Sequence, residues 1–199
     1  MSETPTIDPS RTALLVMDYQ NGIISSAPGA EAALTRTIDA IAQVREAGGR
    51  IGYVRVAFTD EEMAAIPEAS HFAAVVTPQR RDFLHAASPS TAIDERVTPQ
   101  PGDIVVRKIR VGSFSTTDLD EQLRAAGVDT LLLAGLSTSG VVLSTVRDGA
   151  DRDYRVIVLA DACADPVPGV HEFLTEKIFP RQAKVITTED LAKALGAQG

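Results

Sequence analysis

The chain contains Ala13-Leu14-Leu15-Val16-Met17-Asp18 near its N-terminus, a run of five apolar residues that ends in a carboxylate. A continuous apolar run of this length is typical of a β-strand covered on both faces, as in a parallel sheet between two layers of helices. A carboxylate directly after such a strand is costly to bury without a partner. The stretch therefore predicts an enclosed parallel sheet, and it marks the carboxyl end of the first strand as a place where chemistry could occur.

Short apolar runs and helical patterns alternate along the rest of the chain. Residues 31–47 repeat apolar side chains at spacings of three and four, and Gly48-Gly49 ends this helix. Further strands are predicted at 51–58, 103–107, 130–134, 156–160 and 184–186, with helices at 117–126, 139–150, 170–178 and from residue 187. The alternation predicts an α/β protein of three layers, α/β/α, around a mostly parallel, Rossmann-like sheet of six strands.

Length and composition restrict the class of protein. The 199 residues suit one domain over residues 1–199, and 44% hydrophobic with 23% charged residues is ordinary for a soluble protein. The net charge of -8 argues against nucleic acid as a partner. The polar N-terminus and the absence of a long apolar stretch argue against a signal peptide and a membrane span. With a single cysteine, we expect a cytoplasmic protein.

Residues 59–101 form the least regular stretch, and it contains two of the three histidines. We interpret it as a long excursion between strands with one or two short helices. Connections of this length commonly shape a pocket.

Ligands of open parallel sheets bind beyond the carboxyl ends of the strands. That rule nominates Asp18, Asp60, Lys108, the segment 135–141 and Asp161. If their strands are neighbours, Lys108 is the natural partner of Asp18. The pair could act in proton transfer, or it could be a structural ion pair at a strand end, and the spacing alone leaves both alternatives open.

The segment Gly135-Leu136-Ser137-Thr138-Ser139-Gly140-Val141 joins a buried strand to a helix, where backbone N–H groups can hold an anion or an oxyanion. It misses the Gly-x-Ser-x-Gly nucleophile motif by one residue. His171 is the only histidine that follows, and it lies in a predicted helix. Serine-based acyl transfer through Ser137 or Ser139 is therefore a minor alternative. Cys163 is interpreted as a small buried residue.

Four segments, in order, resemble the isochorismatase-like superfamily of cysteine hydrolases over nearly the whole chain. They are Leu14 to Asn21, Pro101 to Lys108 followed by Phe114 and Thr117-Asp118-Leu119, Leu133 to Thr138, and Val158 to Cys163. The resemblance implies an isochorismatase-like fold, hydrolase activity and a catalytic role for Asp18 with Lys108 beside it. It also identifies 133–138 as a turn with a cis peptide bond.

The resemblance places the family's nucleophilic cysteine at Val141, six residues after Gly135. Valine has no lone pair to offer, so the usual thioester route is closed at this position. Isochorismatases proper also lack this cysteine. In them, as the resemblance implies, the aspartate protonates a vinyl ether carbon and water captures the resulting cation.

The same resemblance implies further site residues. Backbone N–H groups of Ser137 and Val141, together with Gln20 and Phe114, would line the substrate site. Gln79, Arg80 and Arg81 would contact a substrate carboxylate. The metal-binding histidines of the nicotinamidase branch have no counterparts near Asp60, and the spacing of His71 and His85 does not suit a metal, so we expect no metal and no cofactor.

We therefore expect a hydrolase of a small carboxylate- or amide-bearing molecule, with Asp18 in proton transfer and no covalent thioester intermediate. The alternative is a catalytically inactive protein of the same family that binds a small molecule. The resemblance also implies a homodimer or homotetramer.

Overall fold

The computed structural model describes residues 5–196 and contains one sheet of six strands. The strands are β1 (Thr12–Met17), β2 (Arg50–Val56), β3 (Ile104–Lys108), β4 (Thr130–Leu136), β5 (Arg155–Ala164) and β6 (Lys184–Ile186). Their order across the sheet is β3-β2-β1-β4-β5-β6, and every neighbouring pair is parallel. The predicted fold class is confirmed, with a sheet that is entirely rather than mostly parallel.

Helices connect these strands and cover the sheet. They are α1 (Asn21–Ile24), α2 (Ala30–Glu46), α3 (Asp60–Ala64), α4 (His71–Val75), α5 (Arg81–Leu84), α6 (Leu119–Ala125), α7 (Leu143–Asp151), α8 (Val170–Phe173) and α9 (Thr188–Gly196). Short 3-10 turns occupy Pro9–Arg11, Pro78–Arg80, Pro89–Thr91, Glu95–Val97 and Phe179–Arg181, and π-type turns occupy Thr138–Val142 and Leu174–Ile178.

The apolar core lies in two layers, one on each face of the sheet. Because successive strand residues point to opposite faces, Leu14 and Val16 of β1 pack into one layer with α2, and Leu15 packs into the other with α6 and α7. This arrangement explains the uninterrupted apolar sequence of β1, since all six of its residues are buried.

The excursion between β2 and β3 is more ordered than the one or two short helices predicted for it. It contains α3, α4 and α5 as well as three 3-10 turns. The Thr59 hydroxyl accepts a hydrogen bond from the N–H of Glu62, and the Glu62 carboxylate accepts one from the N–H of Thr59. This capping box, and the Ser70 cap of α4, stabilise helices of only five residues.

The fifth strand is longer than predicted. It runs to Ala164, so Asp161 and Cys163 lie within β5 rather than after it. The pairing of β4 with β5 shifts register between Leu133 and Gly135 and then continues, which extends both strands toward the same edge.

No helix within residues 5–196 has the length and apolar character needed to cross a membrane. The predicted domain limits, residues 1 and 199, lie outside the described residues.

Candidate active site

Asp18 and Lys108 meet at the carboxyl edge of the sheet. The Lys108 ammonium donates a hydrogen bond of 2.8 Å to Asp18 Oδ2 and another of 2.8 Å to the backbone oxygen of Val111. The two residues pair although their strands are not neighbours, because β2 lies between β1 and β3. Strands are spaced by about 4.8 Å, so only a long side chain at the end of β3 can reach the end of β1. Lysine has that length.

The Asp18 carboxyl is buried and only half satisfied. Oδ2 accepts the hydrogen bond from Lys108, while Oδ1 is buried without a hydrogen-bond partner among the described residues. Burial raises the pKa of Asp18 above its ordinary value, and the Lys108 ammonium opposes that shift. The result is a carboxyl group that holds a proton more readily than an exposed aspartate does.

A cavity of about 310 Å³ lies against this pair. Asp18 and Lys108 form part of its wall, and the chain between β2 and β3 supplies aromatic and aliphatic side chains to it. These apolar wall residues include Phe58, Phe72, Val75, Phe83 and Leu84. A small concave site with an apolar wall and a few convergent polar groups is the usual form of a small-molecule site.

The turn after β4 closes another side of the cavity. Its Leu136–Ser137 peptide bond is cis, as the resemblance implied, and Ser137, Gly140 and Val141 line the cavity. Two hydrogen bonds hold this turn in place. The Thr138 hydroxyl lies 2.9 Å from His171 Nδ1, and the N–H of Ser139 donates to an oxygen of Asp165 at 2.7 Å.

The position of His171 bears on the serine alternative. His171 contacts Thr138, which is fully buried and is not part of the cavity wall, and it makes no hydrogen bond to Ser137 or Ser139. Within residues 5–196, neither of these serine hydroxyls therefore has the histidine base that acyl transfer requires.

Gln20 lines the cavity as expected, but its amide is engaged elsewhere. Nε2 donates to the backbone oxygens of Val56 and Thr91, and Oε1 accepts from the N–H of Val56. Phe114 lies outside the cavity wall, in the core on one face of the sheet, where its ring stacks on that of Tyr154 at 6.0 Å between centroids. The Gln20 amide is thus engaged with the backbone, and Phe114 lies away from the cavity.

The three neighbouring residues proposed to contact a carboxylate separate in the structure. Arg80 lines the cavity, whereas Gln79 and Arg81 do not. The Arg81 guanidinium instead approaches Asp60 at 3.5 Å on the exposed surface.

The family model described as the Isochorismatase domain matches residues 12–190. This chain belongs to the isochorismatase family of hydrolases. The solved structure of an isochorismatase family protein from Burkholderia thailandensis superimposes with a TM-score of 0.83 at 28% identity, over 97% of this chain and 99% of that one.

Three proteins of the same family are similar to this chain over most of its length. The uncharacterized isochorismatase family protein YwoC of Bacillus subtilis is 32% identical, over 96% of this chain and 97% of YwoC. Ureidoacrylate amidohydrolase RutB of Methylobacterium radiotolerans is 34% identical, over 80% of this chain and 69% of RutB. Maleamate amidohydrolase of Pseudomonas putida is 28% identical, over 93% of this chain and 87% of that enzyme.

The only cysteine of this isochorismatase-family chain lies away from the cavity wall. Cys163 is buried within β5, its sulfur lies 3.8 Å from the backbone oxygen of Leu133, and burial raises the pKa of its thiol to about 12. Such a thiol is a poor nucleophile because the thiolate is the reactive form. Among the described residues there is also no group of three or more His, Cys, Asp or Glu side chains suited to a metal ion.

Sequence reasoning missed several residues of the cavity wall, most notably Arg110, His71 and Phe72. His71 and Phe72 belong to the excursion, where no periodic pattern indicated a helix. Arg110 could have been found, because it lies two residues after Lys108 and thus beside the same edge of the sheet.

Proposed function

We propose that this isochorismatase-family hydrolase acts on a small carboxylate- or amide-bearing molecule by direct attack of water, with Asp18 transferring the proton. The observation that carries the proposal is the Asp18 carboxyl. It lines the cavity, one oxygen is bound by Lys108, and the other is buried without a partner in residues 5–196.

In this arrangement the two carboxyl oxygens have different roles. Oδ2 is held by Lys108 at 2.8 Å, so Oδ1 is the atom left to exchange a proton with water or substrate. Because burial raises the pKa of Asp18, the group can both accept and return a proton, as a general acid–base catalyst must. Lys108 fixes the carboxyl and limits the rise in its pKa.

Water is the proposed nucleophile because the cavity offers no thiol and no activated hydroxyl among the described residues. Val141 supports this reading, since the resemblance places the family's nucleophile at that position and the valine side chain lines the cavity. The backbone N–H groups of Ser137 and Val141 are proposed to stabilise negative charge on the attacked group.

The relatives support the substrate class. Ureidoacrylate and maleamate, the substrates named for two of them, are both carboxylates, and both enzymes are amidohydrolases. A carboxylate with an amide-type bond, or with another hydrolysable bond, is therefore the class that we propose for this chain.

Turnover by Asp18→Asn tests the proposal. A panel of carbamoyl, amide and vinyl ether carboxylates is assayed by product release. Once a substrate is found, Asp18→Asn should lower kcat by about a hundredfold or more. Asp39→Asn, on the exposed face of α2, is the matched control and should keep wild-type kcat. Unchanged turnover in Asp18→Asn would remove Asp18 from the mechanism.

Alkylation tests the absence of a protein thiol from the reaction. Iodoacetamide at neutral pH should leave the intact mass and the turnover of the native protein unchanged, because Cys163 is buried and its thiol pKa is about 12. Val141→Cys should acquire a single label although position 141 is buried, because Val141 lines the cavity and Cys163 does not. Inactivation of the native protein in step with labelling of Cys163 would contradict water as the nucleophile.

Val141 also favours the second candidate, a protein that binds a small molecule and has lost catalysis. A hydrocarbon side chain beside Asp18 and Lys108 is compatible with binding alone. Saturable binding of members of the panel, with no turnover of any of them, would support this candidate over the first.

Family membership also supports an assembly of two or four copies in the cytoplasm. Sedimentation velocity on the purified protein measures the first part of this proposal directly. A species with the mass of a single chain would contradict it.

A further inference from the structure

The cavity differs sharply in charge from the rest of the protein. Its wall contains one carboxylate, Asp18, and three cations that carry a full charge, Arg80, Lys108 and Arg110. Asp18 and Lys108 neutralise each other at 2.8 Å, which leaves two guanidinium groups at the cavity of a chain whose net charge is -8. Among the described residues, neither Arg80 nor Arg110 has a carboxylate within ion-pair distance, whereas most other arginines do.

Arg110 is held in place without being neutralised. Its Nη1 donates to the backbone oxygen of Ile109 at 2.6 Å, and its guanidinium carbon lies 5.3 Å from the centre of the Phe72 ring. A guanidinium has five N–H donors in a planar fork, so most of them remain available to a ligand. Stacking on an aromatic face leaves the edge of that fork free, and the edge is what binds a carboxylate.

The local chain explains why Arg110 reaches the cavity. Lys108 donates to the backbone oxygen of Val111, three residues later, and so folds the end of β3 back toward Asp18. Arg110 lies inside this loop, two residues after Lys108, which anchors the carboxyl of Asp18. The two hydrogen bonds of Lys108 therefore hold the carboxyl of Asp18 and close the loop that contains Arg110.

We infer that Arg110 is the specificity-determining residue that binds the carboxylate of the ligand, with Arg80 as a second and more exposed cation at the same cavity. The rest of the ligand is a flat apolar or aromatic body, because Phe58, Phe72 and Phe83 line the same cavity. The inference rests on the proposed function only in taking this cavity as the substrate site.

Binding of benzoate and benzamide tests the inference, since the two probes share a ring and differ in charge. Isothermal titration calorimetry on the full chain should show benzoate binding at least about tenfold more tightly than benzamide. Arg110→Gln keeps a polar side chain without the charge. It should weaken benzoate binding by about tenfold and change benzamide binding by less than about twofold.

Arg50→Gln is the matched control, because Arg50 begins β2 at the opposite edge of the sheet. It should change neither affinity. Arg80→Gln should weaken benzoate binding by less than Arg110→Gln does, and thermal unfolding of every variant checks that each is folded. The inference is overturned if the native protein binds benzoate no more tightly than benzamide, including no measurable binding of either. It is also overturned if Arg110→Gln weakens both probes equally.

The outcome is separable from that of the proposed function, because neither probe has to be turned over. Discrimination that depends on Arg110 without turnover of any substrate rejects the proposed function alone. Turnover abolished by Asp18→Asn, with equal affinity for the two probes, rejects the role of Arg110 alone.

Discussion

Asp18 and Lys108 form an ion pair in which the two partners are unequally satisfied. The ammonium makes two hydrogen bonds, to Asp18 and to the backbone of Val111, whereas one oxygen of the carboxylate makes none among the described residues. Buried ion pairs contribute little net stability because desolvation offsets much of the attraction. Stability alone therefore does not explain the pair, and the proposed transfer of a proton by Asp18 does.

Removing Lys108 should destabilise the protein in a pH-dependent way. Lys108→Met removes the charge that opposes the rise in the pKa of Asp18, so this pKa should rise further. A carboxyl group whose pKa is raised on folding contributes its full stabilisation at pH values below its pKa in the unfolded state. It loses this contribution as the pH rises through its pKa in the folded state. Lys108→Met should cost about 3–5 kcal/mol at about pH 8 and less at about pH 5, as measured by urea unfolding.

The control for this prediction is the double variant Asp18→Asn with Lys108→Met. It contains no buried charge at the site, so it should recover part of the lost free energy of unfolding, and its stability relative to the native protein should vary less with pH. A deficit in Lys108→Met that is equal at both pH values would show that the loss comes from packing rather than from the charge of Asp18.

Gln20 joins three parts of the chain that are far apart in the sequence. It follows β1, and its amide bonds the backbone of Val56 at the end of β2 and of Thr91 in the excursion. These bonds are 2.8 to 2.9 Å long, and Gln20 is buried. Gln20 thus holds the excursion, with its apolar cavity wall, against the edge of the sheet.

Gln20→Leu should loosen this junction. The side chain keeps a similar volume, but the half-buried N–H and oxygen of Val56 and the buried oxygen of Thr91 lose their partner, at a cost of about 3 kcal/mol. Urea unfolding measures this cost. Hydrogen exchange should also rise in residues 84–93, next to the cavity. Gln100→Leu, at an exposed position, is the control, and an equal loss of stability in both variants would contradict a specific role for Gln20.

The elements that sequence reasoning predicted are those whose pattern is set by burial. Strand β1 is buried on both faces, so its apolar run is continuous, and the position of Asp18 follows from it. The same rule placed Lys108 at the shared edge. Helices of four or five residues, such as α4 and α5, are too short to show a helical period, and the excursion was therefore under-predicted.

The direction in which individual side chains point is the other feature that the sequence did not predict. Arg80 lines the cavity and Arg81 pairs with Asp60, although the two are adjacent in sequence. Successive residues of a helical turn point about 100° apart, so proximity in sequence does not decide which of them faces a ligand. In β5, Asp161 interrupts the apolar run, so the sequence pattern did not predict that the strand continues to Ala164.

The two layers of the apolar core are built from the same strands. In β4, Leu132 and Ala134 pack into one layer, while Leu131 and Leu133 pack into the other. A helix layer that separates from the sheet exposes one face of every strand that it covers. The proposal of a single domain therefore implies that the two layers lose their structure together.

Leu34→Ala tests this coupling from one face. Leu34 is a fully buried residue of α2, and its truncation should lower the free energy of unfolding by about 2–5 kcal/mol. If the layers unfold as one unit, hydrogen exchange of the most protected amides should accelerate by the same factor in α2 and in α7, which lies on the opposite face. Leu123→Ala in α6 makes the reciprocal change from that opposite face and should produce the same pattern. Faster exchange confined to the mutated layer, or two separate urea transitions, would show that the faces of the sheet unfold independently and that residues 5–196 are not one cooperative unit.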